Sequence, residues 1–160
     1  SAASDVYKRQ EYVNAFLVSA ASVLQTACGL ALKPGKPYVK TNTFEDNVLV
    51  ICIGITGQVK GQVLIAVNNE VACELASKMC MMPVDKLDEL SLSALSELSN
   101  MILGNAATVL STKGVTIDIT PPAIIRGNFK MEQIYTENIC MPMFFDGDKL
   151  IEVDIALKED

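Results

Sequence analysis

At 160 residues, half of them apolar, the chain is long enough to bury one continuous core and too short for two independent ones. Its formal charge of -6 comes from acidic residues spread along its length, so no basic face stands out to neutralise phosphates, which argues against DNA and RNA as partners. Histidine is absent, so the usual general base and the commonest metal ligand are missing and any catalysis falls to carboxylates, amides, hydroxyls, lysines or thiols.

Residues 1–10 open with Ser1 rather than Met and show no convincing pattern, so they read as a leader or upstream segment before one domain over residues 11–160. Ala15 to Leu32 carries no charge but is broken by Ser19, Ser22, Gln25 and Thr26. Val13, Phe16, Leu17, Ala20, Leu24 and Cys28 fall on an i, i+3, i+4 stripe, which predicts a long helix laid on a core rather than a membrane span. No membrane partner is expected. The five cysteines, Cys28, Cys52, Cys73, Cys80 and Cys140, have no C-x-x-C spacing and an odd count, as for reduced thiols in a cytoplasmic protein.

Pro34, Gly35 and Pro37 mark a polar connection from Lys33 to Asn47. Strands follow at Val48 to Ile55 and Gln62 to Val67, with Gly57-Gln58-Val59-Lys60-Gly61 as the hairpin connection. The nearly unbroken apolar run in the first predicts a strand covered on both faces. Gly54, Gly57 and Gly61 are not followed by Gly-Lys-Ser/Thr, so they do not make a phosphate loop. Asn68 and Asn69 can cap a short helix that runs to about Met82 and stops at Pro83, with Cys73 and Cys80 as core positions and Met79, Met81 and Met82 at its end.

A second long helix is predicted from Leu87 to Lys113, burying Leu95, Leu98, Ile102, Ala106 and Val109 and stopping at Gly114. Val115, Ile117 and Ile119 alternate with Thr116, Asp118 and Thr120, the pattern of a half-exposed strand. Met141 to Phe145 and Leu150 to Leu157 flank Asp146-Gly147, a strong hairpin signal. In the last strand Ile151, Val153, Ile155 and Leu157 should face in and Glu152, Asp154 and Lys158 out.

The chain also repeats itself. Residues 11–24 (EYVNAFLVSAASVL) align without gaps on residues 97–110 (ELSNMILGNAATVL), matching at seven of fourteen positions, Glu11 with Glu97 and Asn14 with Asn100 among them. The reading is an α+β fold: two long helices packed on an antiparallel β-sheet, built by duplication about a pseudo-twofold axis.

On a helical wheel, Ser93, Glu97, Asn100, Gly104, Ala107 and Ser111 share a face opposite the apolar stripe. Gly104 there costs helix stability, about 1 kcal/mol relative to Ala, and would let a partner approach closely. An ordinary solvated face could hold the same residues, so Glu-x-x-Asn alone does not decide the matter. Ser93, Glu97, Asn100 and Pro122, however, stand at the intervals of the pattern Asp/Ser, three residues, Glu, two residues, Asn, twenty-one residues, Pro. In this, in the Gly104 continuation and in element order from Glu11 to Leu157, the chain resembles the CheC/CheX/FliY chemotaxis phosphatases.

The resemblance implies a CheC-like fold and hydrolysis of the aspartyl-phosphate of a CheY-type receiver domain in the cytoplasm. It implies that Asn100 orients the attacking water, that Glu97 pairs with a receiver lysine, and that Ser93, Gly104 and Pro122 assist docking. The Mg2+ would belong to the receiver, with no metal or cofactor bound by this chain. In the first repeat Tyr7, Val18 and Lys36 replace the small polar residue, the glycine and the proline, so Glu11 and Asn14 read as a degenerate second site, and the single-site pattern is that of the CheX branch. A homodimer is expected, since strongly apolar strands leave edges that invite pairing. The rival reading is a non-catalytic module docking on a response regulator, a flagellar switch or a receptor deamidase.

Overall fold

The computed structural model describes residues 2–39, 43–44, 47–131 and 138–159. The first helix, α1 (Ala2–Cys28), is already running ahead of its apolar stripe, because residues 2–10 hold no proline or glycine to stop it. Phe16, Ala20, Leu24 and Cys28 are buried, with Val13 and Leu17 half-buried beside them. Gly29, at φ +67°, ends the helix: its N–H donates to the Gln25 carbonyl and that of Leu30 to the Leu24 carbonyl.

After two short strands, β1 (Lys33–Pro34) and β2 (Thr43–Phe44), the chain forms the hairpin β3 (Val48–Gly57) and β4 (Val59–Asn68). The connection is shorter than predicted, since Val59, Lys60 and Gly61 already belong to β4. Gly61 is there for close approach rather than for a turn: a Cβ on it would overlap the Ala156 carbonyl of the neighbouring strand. The helix α2 (Asn69–Cys80) follows, with the Asn68 side chain accepting from the Val71 N–H at 2.8 Å and Met81 closing it in the left-handed region.

The rest comprises α3 (Glu89–Thr112), β5 (Ile117–Ile119), β6 (Ala123–Arg126), β7 (Phe129–Lys130), β8 (Asn138–Phe145) and β9 (Lys149–Glu159). Among the described residues the main sheet is antiparallel with seven strands in the order β1-β8-β9-β4-β3-β5, and β6 also pairs with β3. All three helices cover one face, and between them and the sheet lies the main core of Phe16, Leu24, Leu49, Ile53, Leu95, Leu103 and Ile155. The opposite face carries a smaller cluster of Val50, Leu64 and Ala66 under Phe44, whose ring stacks on Phe129 at 4.9 Å where β2 pairs with β7. Strand β3 is therefore covered on both sides, as its apolar run requires.

That second cover corrects one expectation. Asp154 does point away from the helices, but it is 2% exposed rather than solvated, because the middle of that face is not open to water. The alternation along β9 is right and the assumption that the outer face is wet is wrong.

Duplication is written into the topology. Strands β4 and β9 pair at the centre, β3 and β8 flank them, and each flank receives the short strand that follows the other half's helix: β1 on β8, β5 on β3. No described helix is long and apolar enough to cross a membrane.

Candidate active site

The helix that carries the site is fixed at both ends. At its start the Asp88 carboxylate accepts from the Ser91 N–H at 2.9 Å while the Ser91 hydroxyl accepts from the Asp88 N–H at 2.7 Å, a reciprocal cap. The Ser91 backbone and side-chain bonds hold the Asp88 carboxyl below its ordinary value. At its end Gly114, at φ +80°, donates to the Ser111 carbonyl. In between, Leu95, Leu98, Ile102, Leu103, Ala106 and Leu110 are buried, and the one buried mid-helix hydroxyl, Ser99, is satisfied by the Leu95 carbonyl at 3.0 Å.

The opposite side faces out as the wheel predicts. Ser93 and Glu97 are exposed, and Asn100 and Gly104 are half-buried. Glu97 and Asn100 are one turn apart and therefore neighbours on the surface. Neither side chain has a hydrogen bond or ion pair with any described residue. A Cβ on Gly104 would meet none of the described residues within 4 Å, so packing among them gives no reason for glycine. The arrangement is a convex ridge bearing a carboxylate and a carboxamide, suited to insertion into another molecule.

Two residues of this face escaped the sequence reading. Leu90, 59% exposed, and Met101, 37% exposed, lie on the same side as Glu97. Their signal was present, since both are apolar yet off the buried stripe.

Pro122 lies in the corner between β5 and β6. Thr120 pins that corner to β3 twice: its hydroxyl accepts from the Gly54 N–H at 2.8 Å and its N–H donates to the Gly54 carbonyl at 3.0 Å. A Cβ on Gly54 would press on the Thr120 side chain at 3.1 Å, which explains a glycine the sequence left without a role. Because α3 packs against both β5 and β6, this corner flanks the helix.

The first repeat differs. Asn14 is exposed, but the Glu11 carboxylate is 3.3 Å from the Lys113 ammonium at the end of α3. Val18, in the place of Gly104, is 59% exposed, and Tyr7, in the place of Ser93, is 70% exposed. At the end of α2, Met81 and Met82 stand out in solvent while Met79 packs on the core.

Among the described residues one group has the make-up of metal ligands: Cys140, Glu152 and Asp154, with ligand atoms within 4.8 Å of one another. It lies on the sheet face away from α3 and does not serve Asn100. There the Tyr38 hydroxyl donates to Glu152 at 2.7 Å, and burial pushes both this phenol and the Cys140 thiol up.

A family model described as "Chemotaxis phosphatase CheX" matches residues 49–144. A Thermotoga maritima protein named CheY-P phosphatase CheX is 37% identical over 147 residues, covering 91% of this chain and 95% of its own. The structure of a CheX-CheY complex with beryllofluoride and Mg2+ from Borrelia burgdorferi superposes with a TM-score of 0.79 at 34% identity, over 92% of this chain and 98% of the other. A CheC-like superfamily protein from Shewanella superposes at 0.81 with 30% identity, over 92% and 97%. With its ridge, its duplicated fold and similarity over nine-tenths of its length, the chain belongs to the CheX family of chemotaxis phosphatases.

Proposed function

We propose that this protein hydrolyses the aspartyl-phosphate of a CheY-type receiver domain by inserting the α3 ridge beside the phosphoryl group. The observation that carries the reading is the pair Glu97 and Asn100, unengaged by the described residues and held out beside a glycine that the fold itself does not need. Phosphoryl transfer passes through a loose transition state, so placing a water in line and stabilising charge do most of the work and no strong base is required. The Asn100 carboxamide accepts from and donates to a water, and so can orient it without taking its proton. Glu97 pairs with a lysine of the receiver and sets the register of docking. The Mg2+ is the receiver's, and this chain contributes none of its ligands.

Ser93, Gly104 and the Pro122 corner assist docking in this reading, with Leu90 and Met101 adding apolar contact. The cytoplasm is the site of action, where receiver domains meet their kinases. A homodimer with one ridge per subunit is part of the proposal. Its support is the resemblance rather than a free sheet edge, because β1 and β5 are short, two and three residues. The mass in solution tests it.

The catalytic assignment is tested by the decay of a phosphorylated receiver with wild type and with Asn100→Ala. Loss of in-line positioning should slow the accelerated rate roughly 100-fold while leaving docking in place. Equal acceleration by both proteins, or by neither, overturns the role; binding without acceleration by wild type identifies a docking module instead.

A further inference from the structure

We infer that Thr120 is a positioning residue for receiver docking, its hydroxyl clamping to the sheet the corner that carries Pro122 beside α3. The inference rests on the docking role proposed for that corner. It starts from the register along β3. Ile55 lies opposite Ile119 of β5 and Cys52 opposite Ala123 of β6, so Gly54 and Ile53 face three residues, Thr120, Pro121 and Pro122. One residue too many on one side is a β-bulge, which bends the longer strand and re-aims what it carries. Two consecutive prolines suit this place because neither has an N–H to give to β3.

Thr120 supplies what the bulge takes away. In a regular hydrogen-bonded antiparallel pair, two residues exchange N–H to carbonyl bonds in both directions. Here Thr120 donates its N–H to the Gly54 carbonyl at 3.0 Å, but the Gly54 N–H goes to the Thr120 hydroxyl, at 2.8 Å. The side chain thus stands in for its own carbonyl at the point where the chain leaves the ladder. The same hydroxyl donates to the Pro121 carbonyl at 3.4 Å, and that carbonyl belongs to the peptide bond whose nitrogen is Pro122's. One oxygen therefore ties β3 on one side to the Pro121–Pro122 peptide on the other.

Position 120 is exposed, so burial of the methyl group is not what selects threonine there. Gly54 leaves the clamp its room, since a Cβ on it would press on the Thr120 side chain at 3.1 Å. Because α3 packs against β5 and β6 on either side of the bulge, the clamp fixes where Pro122 stands relative to the Glu97 and Asn100 ridge. Asn100 is held by α3 and its caps, so the clamp governs how firmly a receiver seats and not how the water is placed.

The test follows decay of the phosphorylated receiver over a range of receiver concentrations. Thr120→Val keeps the shape without the hydroxyl and should raise KM roughly fivefold with kcat within about twofold of wild type, whereas Thr120→Ser should behave as wild type. Pro122→Ala should also raise KM, and adding Thr120→Val to it should raise KM no further, because the clamp acts through that residue. Where circular dichroism shows T120V unfolded, T120A replaces it, since alanine leaves room for a water to satisfy the Gly54 N–H without tying the corner. A folded T120V or T120A with a wild-type KM, whatever its melting temperature, overturns the positioning role. So does T120S as impaired as T120V, a wild-type KM in Pro122→Ala, or a full further rise in the double variant. Each of these leaves the Asn100 assignment standing, because Asn100→Ala is read in kcat. Failure of wild type itself to accelerate decay overturns the α3 reading, and this inference with it.

Discussion

At position 104 the proposed docking and the stability of the helix make opposite demands. A methyl group on Gly104 has free space among the described residues and improves the helix, so Gly104→Ala should raise stability by about 1 kcal/mol in denaturant unfolding. Gly104→Leu should also fold, yet lower phosphatase activity at least roughly tenfold if the receiver docks here as proposed, because the side chain would project into that docking surface. Equal activity of the leucine variant would show that no partner reaches this point. That Glu97, Asn100 and Gly104 share one face of α3 was legible in the sequence because spacing along one helix decides which side chains lie together. The Glu11–Lys113 pair was not, since it depends on how α1 lies against the end of α3. Asp154 was misjudged for a related reason: alternation tells which face a side chain takes, not what covers that face.

At the scale of elements, the long helices and the two long hairpins could be read from their apolar periods and turn residues. The pieces β1, β2, β6 and β7 could not, since two to four residues carry no period and exist only by pairing with distant strands. The cap of α3 gives a prediction with a definite sign. The folded Asp88 carboxyl is held below its ordinary value of 3.8, so its contribution to stability is present in full above that value and is lost as pH falls through the folded one. Thermal melts of wild type should therefore decline as the pH is taken below about 3.8, and Asp88→Asn, which keeps a capping oxygen without the titration, should flatten that decline. Identical acid profiles would remove Asp88 from the account.

For the molecule as a whole, the seam between β4 and β9 joins the two repeats, and Gly61 sits in it against Ala156. Gly61→Ala should force these strands apart and cost about 3 kcal/mol or more, lowering the midpoint of a single cooperative transition rather than splitting it in two. Two separate transitions would mean that each repeat holds its own core. The duplication was visible in the helices, where identities persist, and hidden in the strands, where alternating apolar residues look alike in any sheet. Its exchange of short strands has a further meaning. Because β1 leaves α1 to lie on β8, and β5 leaves α3 to lie on β3, each repeat completes its counterpart and neither is whole by itself. An ancestor with a single repeat would have needed two identical chains clasping arms to make the same sheet.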